Sequence, residues 1–186
     1  HYDLVPEFLD CPGNNDNILV LNTCADPKVT KIWGGQIFWF IMRHPGVQFT
    51  DRILPALFPT FGSIENCGNV GNASVLLADH MGLSPIILIG QDYGYTGGKL
   101  SARRFEYSDG GKISEIELDH QRLLEERTGK LEVDGITTYA PFIGYRDTLY
   151  GLRERNALNI INCTEGGILT GLPCAPFSAI IEGLSK

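Results

Sequence analysis

The chain has 186 residues, 43% of them hydrophobic and 20% charged, with a formal net charge of −7. On a prior of roughly 100–200 residues per domain, that is one domain with a sizeable core. The acidic balance is a poor match for nucleic acid or an anionic membrane surface, and no apolar run approaches the roughly 18 residues that span a bilayer.

In chain order, short apolar runs alternate with helical periodicity. Residues 18–21 form a strand-like run that ends at Asn22. Residues 36–42 form a second, whose continuous apolar character predicts burial on both faces. Pro45-Gly46 closes it, and Pro55 and Pro59 break up the next stretch. A third short strand is expected at residues 61–64. A helix follows over 72–81, with Val75, Leu76, Ala78 and Met81 on the core face and Gly82 as its stop. Residues 85–90 read as the clearest strand: β-branched, uncharged and ended by Gly90.

A long polar loop, 91–112, comes next, and loops of that length are often functional. An amphipathic helix is expected over 116–127. Asp134-Gly135 marks a hairpin over 130–138, Pro141 opens a helix to about Arg155, and 158–162 is a last core strand. The sum is an α/β chain, read as one Rossmann-like three-layer domain over 1–186 with a largely parallel sheet. The chain begins at His1 and ends in an apolar stretch, and is expected to be a piece of something longer.

In open α/β sheets, ligands bind beyond the carboxyl ends of the strands. Three polar segments can share that edge. The first runs from Gly68 to Ser74 into a helix. Gly71 allows close backbone approach, Asn72 or Ser74 can cap the helix, and its free amides attract phosphate. The second runs from Gly90 to Lys99 and contains Gln91, Asp92, Tyr93, Tyr95 and Thr96. A phosphate-binding P-loop would need Gly at 93 and Ser or Thr at 100, where Tyr93 and Leu100 stand, so that motif is excluded. Asp92, at a strand end, is the favoured catalytic or binding carboxylate. The third, Asn162 to Gly167, offers Asn162, Thr164, Glu165 and the backbone at Gly166.

Glycine is the compositional outlier, with 22 residues, about 12% against an average near 7%. Eleven of the 22 fall in or beside these three segments, where ligand is expected to meet backbone. Five widely spaced cysteines (Cys11, Cys24, Cys67, Cys163 and Cys174) contain no C-x-x-C, and no histidine pair has ligand spacing, so no metal site is expected. Buried thiols and the absence of a signal peptide point to the cytoplasm. His120, beyond the long loop, is the candidate general base. Lys99 and Arg103 form a local basic patch that suits a small anionic ligand.

Residues 71–77, 85–92, 95–99 and 162–167 together resemble the MptE-like and Maf family. That family includes archaeal 6-hydroxymethylpterin diphosphokinases and bacterial motility-associated factors implicated in glycosylating flagellin with nonulosonic acids. The order of elements is also similar, by pattern rather than identity, to bacterial sialyltransferases. By that parallel Gly71, Asn72 and Ser74 would face phosphate or the transferred acid, and Tyr93 or Tyr95 would hydrogen-bond the leaving group. The glycine-proline-serine loop common in the family is not found, which suggests that the first βα unit is missing.

The resemblance implies a nucleotide-dependent transferase, first of all a Maf-like glycosyltransferase using a nucleotide-activated acidic sugar. Its partners would be a nucleotide or nucleotide sugar and a protein acceptor, with no nucleic acid and no membrane. The alternative is a diphosphokinase that moves diphosphate from ATP to 6-hydroxymethylpterin. Mg²⁺ would then be needed, with Asp92 and Glu165 as its first ligands. A third reading is a nucleotide-binding module without turnover.

Overall fold

The computed structural model describes residues 16–96, 126 and 129–184. The expected helix over 116–127 (Glu126 apart), His120, Lys99 and Arg103 lie outside the described residues. The chain divides into two compact units, His1–Asn66 and Cys67–Lys186. Its architecture is mixed α/β, and no helix among the described residues is long and apolar enough to cross a membrane.

The first unit is a three-stranded parallel sheet in the order β1 (Ile18–Asn22), β2 (Gln36–Arg43), β3 (Gly62–Glu65). Leu21 pairs with Trp39, and Phe40 with Gly62. Helix α1 (Pro27–Ile32) connects β1 to β2. The sequence dictates its start: Asp26 is the N-cap, its carboxylate accepting from the Lys28 amide at 2.8 Å, and Pro27 occupies the first turn, where its missing N–H costs nothing. A π-helical turn (Phe49–Ile53) and α2 (Leu54–Leu57) lead to β3. Pro55 lies in the first turn of α2 and so helps to start a helix rather than break one. Buried Thr50 closes the turn after β2, accepting from the His44 amide and donating to the Val47 carbonyl, each at 3.3 Å.

Burial of β2 on both faces is not observed. Leu21 and Ile41 are buried, whereas Val20 and its cross-strand partner Phe38 are 36% and 51% exposed. An uninterrupted apolar run predicts two covered faces; among the described residues the sheet keeps one, and side-chain alternation sends every second residue outward.

The second unit pairs β4 (Ile86–Leu88) with β7 (Ile160–Asn162), again in parallel. Between them the chain forms the hairpin β5 (Lys130–Val133) and β6 (Ile136–Tyr139) and then α4 (Ala140–Asn156). Asp134 and Gly135 both take positive φ, 52° and 78°, the primed turn that a two-residue hairpin requires. Helix α3 (Val70–His80) packs on α4, and α4 on β6. The core holds Tyr139, Leu149, Leu152, Ile160, Ile168 and Leu169, each at most 2% exposed. A final helix, α5, spans Phe177–Leu184.

Helix α3 starts two residues earlier than its periodicity suggests. Neither Asn72 nor Ser74 caps it; Asn69 does, its side-chain oxygen accepting from the Asn72 amide at 2.8 Å. Gly82 ends the helix with φ 74°, as expected, but Met81 is 64% exposed and off the core face. The strands expected at 85–90 and 158–162 are shorter, at three residues each.

Candidate functional site

The parallel register of β4 and β7, with Leu88 opposite Asn162, brings two carboxyl ends side by side. Each strand then releases one of the polar segments singled out above. Gly90, at φ 68°, turns the chain out of β4. Residues 91–96 and 163–168 are then laced together. The Cys163 amide donates to the Leu88 carbonyl and the Ile168 amide to the Asp92 carbonyl, both at 2.8 Å. The Gln91 amide donates to Thr164 Oγ1 at 3.0 Å, and the Gly167 amide to Thr96 Oγ1 at 2.9 Å. The hairpin supports the same loop: the Tyr95 amide donates to the Thr137 carbonyl at 2.8 Å, and Thr138 Oγ1 to the Tyr93 carbonyl at 2.7 Å.

This edge opens on a cleft of about 750 Å³. Gly90, Gln91, Asp92, Tyr93, Tyr95, Thr96, Thr164 and Glu165 all line it, so eight of the residues named from sequence converge there. Ile89, Gly94, Phe142, Cys163 and Phe177 complete the wall. Phe142, Cys163 and Phe177 carry no polar signal in the sequence. The placement of Phe142, directly after the helix-opening Pro141, is the nearest thing to one. Aromatic rings back the cleft: Tyr95 lies 5.5 Å from Tyr139 at 76° and 5.9 Å from Phe142, centroid to centroid. Such edge and tilted contacts are favourable ring geometries.

Five expected ligand-facing residues are not among those that line this cleft. Asn72 is fully buried, its Nδ2 donating to the carbonyls of Cys67 and Tyr145 (both 2.9 Å) and its Oδ1 accepting from the Tyr93 phenol (2.7 Å). Asn162 is buried too. Its oxygen accepts from the Thr164 amide at 2.9 Å, and its nitrogen donates to the Leu169 carbonyl at 3.3 Å. Exposed Ser74 donates to the Val70 carbonyl at 2.9 Å. Gly71 sits against the Gln91 side chain, and Gly166 against that of Thr96.

These contacts give part of the glycine excess a packing role. A Cβ at Gly68, Gly71, Gly94, Gly166, Gly167 or Gly171 would meet the chain's own atoms. Gly167 is the extreme case: its φ is 76°, and a Cβ there would fall on the Asp92 backbone. At these six positions the missing side chains let segments of the chain approach one another, while Gly90, which lines the cleft, has open space where a Cβ would stand.

Burial distinguishes the two titratable groups at the loop centre. The Asp92 carboxyl is pushed up from its ordinary 3.8 because burial disfavours its charged form. The Tyr93 phenol is also pushed up, chiefly by burial and further by neighbouring Cys67, with the Asn69 side chain pulling the other way. Tyr93 also takes a left-handed backbone, φ 48°, an unfavourable conformation for a bulky residue. Among the described residues no group of three or more His, Cys, Asp or Glu is close enough to hold a metal by itself. Asp92 and Glu165 nevertheless line one cleft, and Mg²⁺ is commonly held by one or two carboxylates together with substrate phosphates.

A family model described as 6-hydroxymethylpterin diphosphokinase MptE-like matches residues 2–98, just over half of the chain, including α3, β4 and the loop through Thr96. No curated protein and no solved structure gives a significant match.

Proposed function

Because this chain belongs to the 6-hydroxymethylpterin diphosphokinase MptE-like family, we propose that it is a nucleotide-dependent transferase that passes a diphosphoryl group to an alcohol carried on a flat heterocycle. The observation that carries the proposal is the cleft itself. It lies where the ends of β4 and β7 meet, it holds two carboxylates, Asp92 and Glu165, and its walls are Tyr95, Phe142 and Phe177. Rossmann-like layering, which puts ligands at strand carboxyl ends, is part of the same reading.

In this proposal the aromatic wall takes the heterocycle face-on, since flat rings stack on aromatic side chains at little conformational cost. Asp92 and Glu165 would hold Mg²⁺ jointly with the nucleotide phosphates. That ion, when bound, would neutralise charge on the transferring group. The fit rests on donor chemistry: both side chains offer the hard oxygens that Mg²⁺ takes, and a carboxylate penalised by burial gains most from a nearby cation. The acceptor oxygen attacks the β-phosphorus, the bond to the α-phosphate oxygen breaks, and the nucleoside monophosphate leaves with that electron pair. The acceptor's proton goes to a base, for which His120 remains the proposal. Tyr95 would hydrogen-bond the departing phosphate.

Glycosyl transfer from a nucleotide-activated acidic sugar would use the same edge. Its particular support, the basic pair Lys99 and Arg103, lies outside the described residues, and the family description names the diphosphokinase. We therefore place diphosphoryl transfer first. A thermal shift against ATP and CMP, each with and without Mg²⁺, tests the order. Stabilisation by ATP only with Mg²⁺ is the expected result. Metal-independent stabilisation by CMP would favour glycosyl transfer, and no shift with either nucleotide would sink both.

A further inference from the structure

We infer that Asn72 is a positioning residue: through Tyr93 it fixes the segment that carries Asp92 into the cleft. The inference rests on the proposed role of Asp92 for its functional meaning, but its structural content stands on other observations.

Asn72 is 0% exposed, and all three of its assigned hydrogen-bonding directions are used inside the unit. Two of them, to the Cys67 and Tyr145 carbonyls, tie the chain before α3 to the first turns of α4. The third is the acceptor for the Tyr93 phenol at 2.7 Å. A buried amide with every bond assigned has little freedom to rotate. The phenol is therefore held at a fixed point.

Tyr93 is then gripped at both ends. Its hydroxyl meets Asn72, and its carbonyl accepts from Thr138 Oγ1 at 2.7 Å. Between the two grips its backbone sits at φ 48°. A non-glycine residue persists there only when its surroundings over-determine it. The next residue back is Asp92, whose carbonyl is held by the Ile168 amide at 2.8 Å. The backbone at 92–93 is thus fixed by side chains from α3 and β6 and by the segment after β7. Of these, the Asn72–Tyr93 bond is the one that can be removed with a single oxygen atom.

Tyr93→Phe is the test, because it deletes the hydroxyl and leaves the ring and both Asn72-to-carbonyl bonds in place. Hydrogen exchange by NMR on the intact chain should show the Ile168 amide exchanging about tenfold faster. Amides of α4, such as those of Leu149 and Leu152, should keep their wild-type rates. Unchanged exchange at Ile168, or an equal acceleration throughout α3 and α4, would overturn the inference, the latter because it marks a general stabilising role. Asn72→Ala gives a second arm. Where it folds, adding Tyr93→Phe to it should accelerate Ile168 no further, and additive acceleration would count against action through Tyr93.

In a diphosphoryl-transfer assay, Tyr93→Phe should lower kcat by about tenfold and leave KM for the Mg²⁺ nucleotide within about twofold. A wild-type chain without transfer activity would strike the proposed function alone, and the exchange data would still decide the role of Asn72.

Discussion

Asp92 is the residue on which the functional reading turns, and its burial makes a thermodynamic prediction. Its folded-state carboxyl titrates above the ordinary 3.8 because burial disfavours the charge. Below the ordinary value the carboxyl is protonated in both folded and unfolded chains, and nothing is lost. As pH rises through the raised folded value, the unfolded chain ionises more readily and stability falls. Asp92→Asn removes that penalty. The variant should melt above wild type at neutral pH, and the two melting curves should converge as pH drops toward 4 and below. The same variant should lose Mg²⁺-dependent nucleotide binding. A variant that melts lower at neutral pH while still binding nucleotide would make Asp92 structural.

Residue type was a good guide to this place and a poor guide to roles. Eight residues chosen for polarity, aromaticity or glycine do line the cleft, because segments that leave neighbouring parallel strands must emerge together. Asn72 and Asn162 carry the same polar signal and are buried. An amide that locks a loop and an amide that binds a ligand have the same donors and acceptors, and only burial separates them.

Among elements, legibility followed the strength of the local rule. The Asp134-Gly135 hairpin was readable because its turn tolerates few sequences. Helix α1 was not expected, although Asp26-Pro27 is an N-cap followed by a first-turn proline. Pro55 reads as a breaker yet sits in the first turn of α2, and no helix is expected over the apolar stretch that forms α5. Proline has opposite meanings at the start and in the middle of a helix, and six or fewer residues give too little periodicity to tell which applies.

Two substitutions test the element boundaries that shape the site. Asn69→Ala removes the cap of α3 and should cost about 1 kcal/mol in chemical denaturation. Asn72→Asp would not report on capping, since its side chain makes no cap bond. Gly167→Ala places a Cβ against the Asp92 backbone at a positive φ. It should cost roughly 2–4 kcal/mol, and a cost under 0.5 kcal/mol would contradict the close packing of the two loops.

At the scale of the molecule, the glycine excess has a physical cause. Glycines in the second unit let segments 91–96 and 163–168 lie against each other and against β6, while Gly68 and Gly171 lie against tyrosines of α4. That close approach builds a rigid rim around a cleft walled by aromatic rings and two carboxylates. The net charge of −7 is compatible with the proposed site, where an anionic ligand would arrive together with a divalent cation.

Calorimetric titration of the chain with ATP, with and without Mg²⁺ and in wild type and Asp92→Asn, tests this account most directly. Binding by wild type only in the presence of Mg²⁺, and its loss in Asp92→Asn, is the predicted result. Equal binding of ATP by wild type and Asp92→Asn, or binding that ignores Mg²⁺, would contradict it.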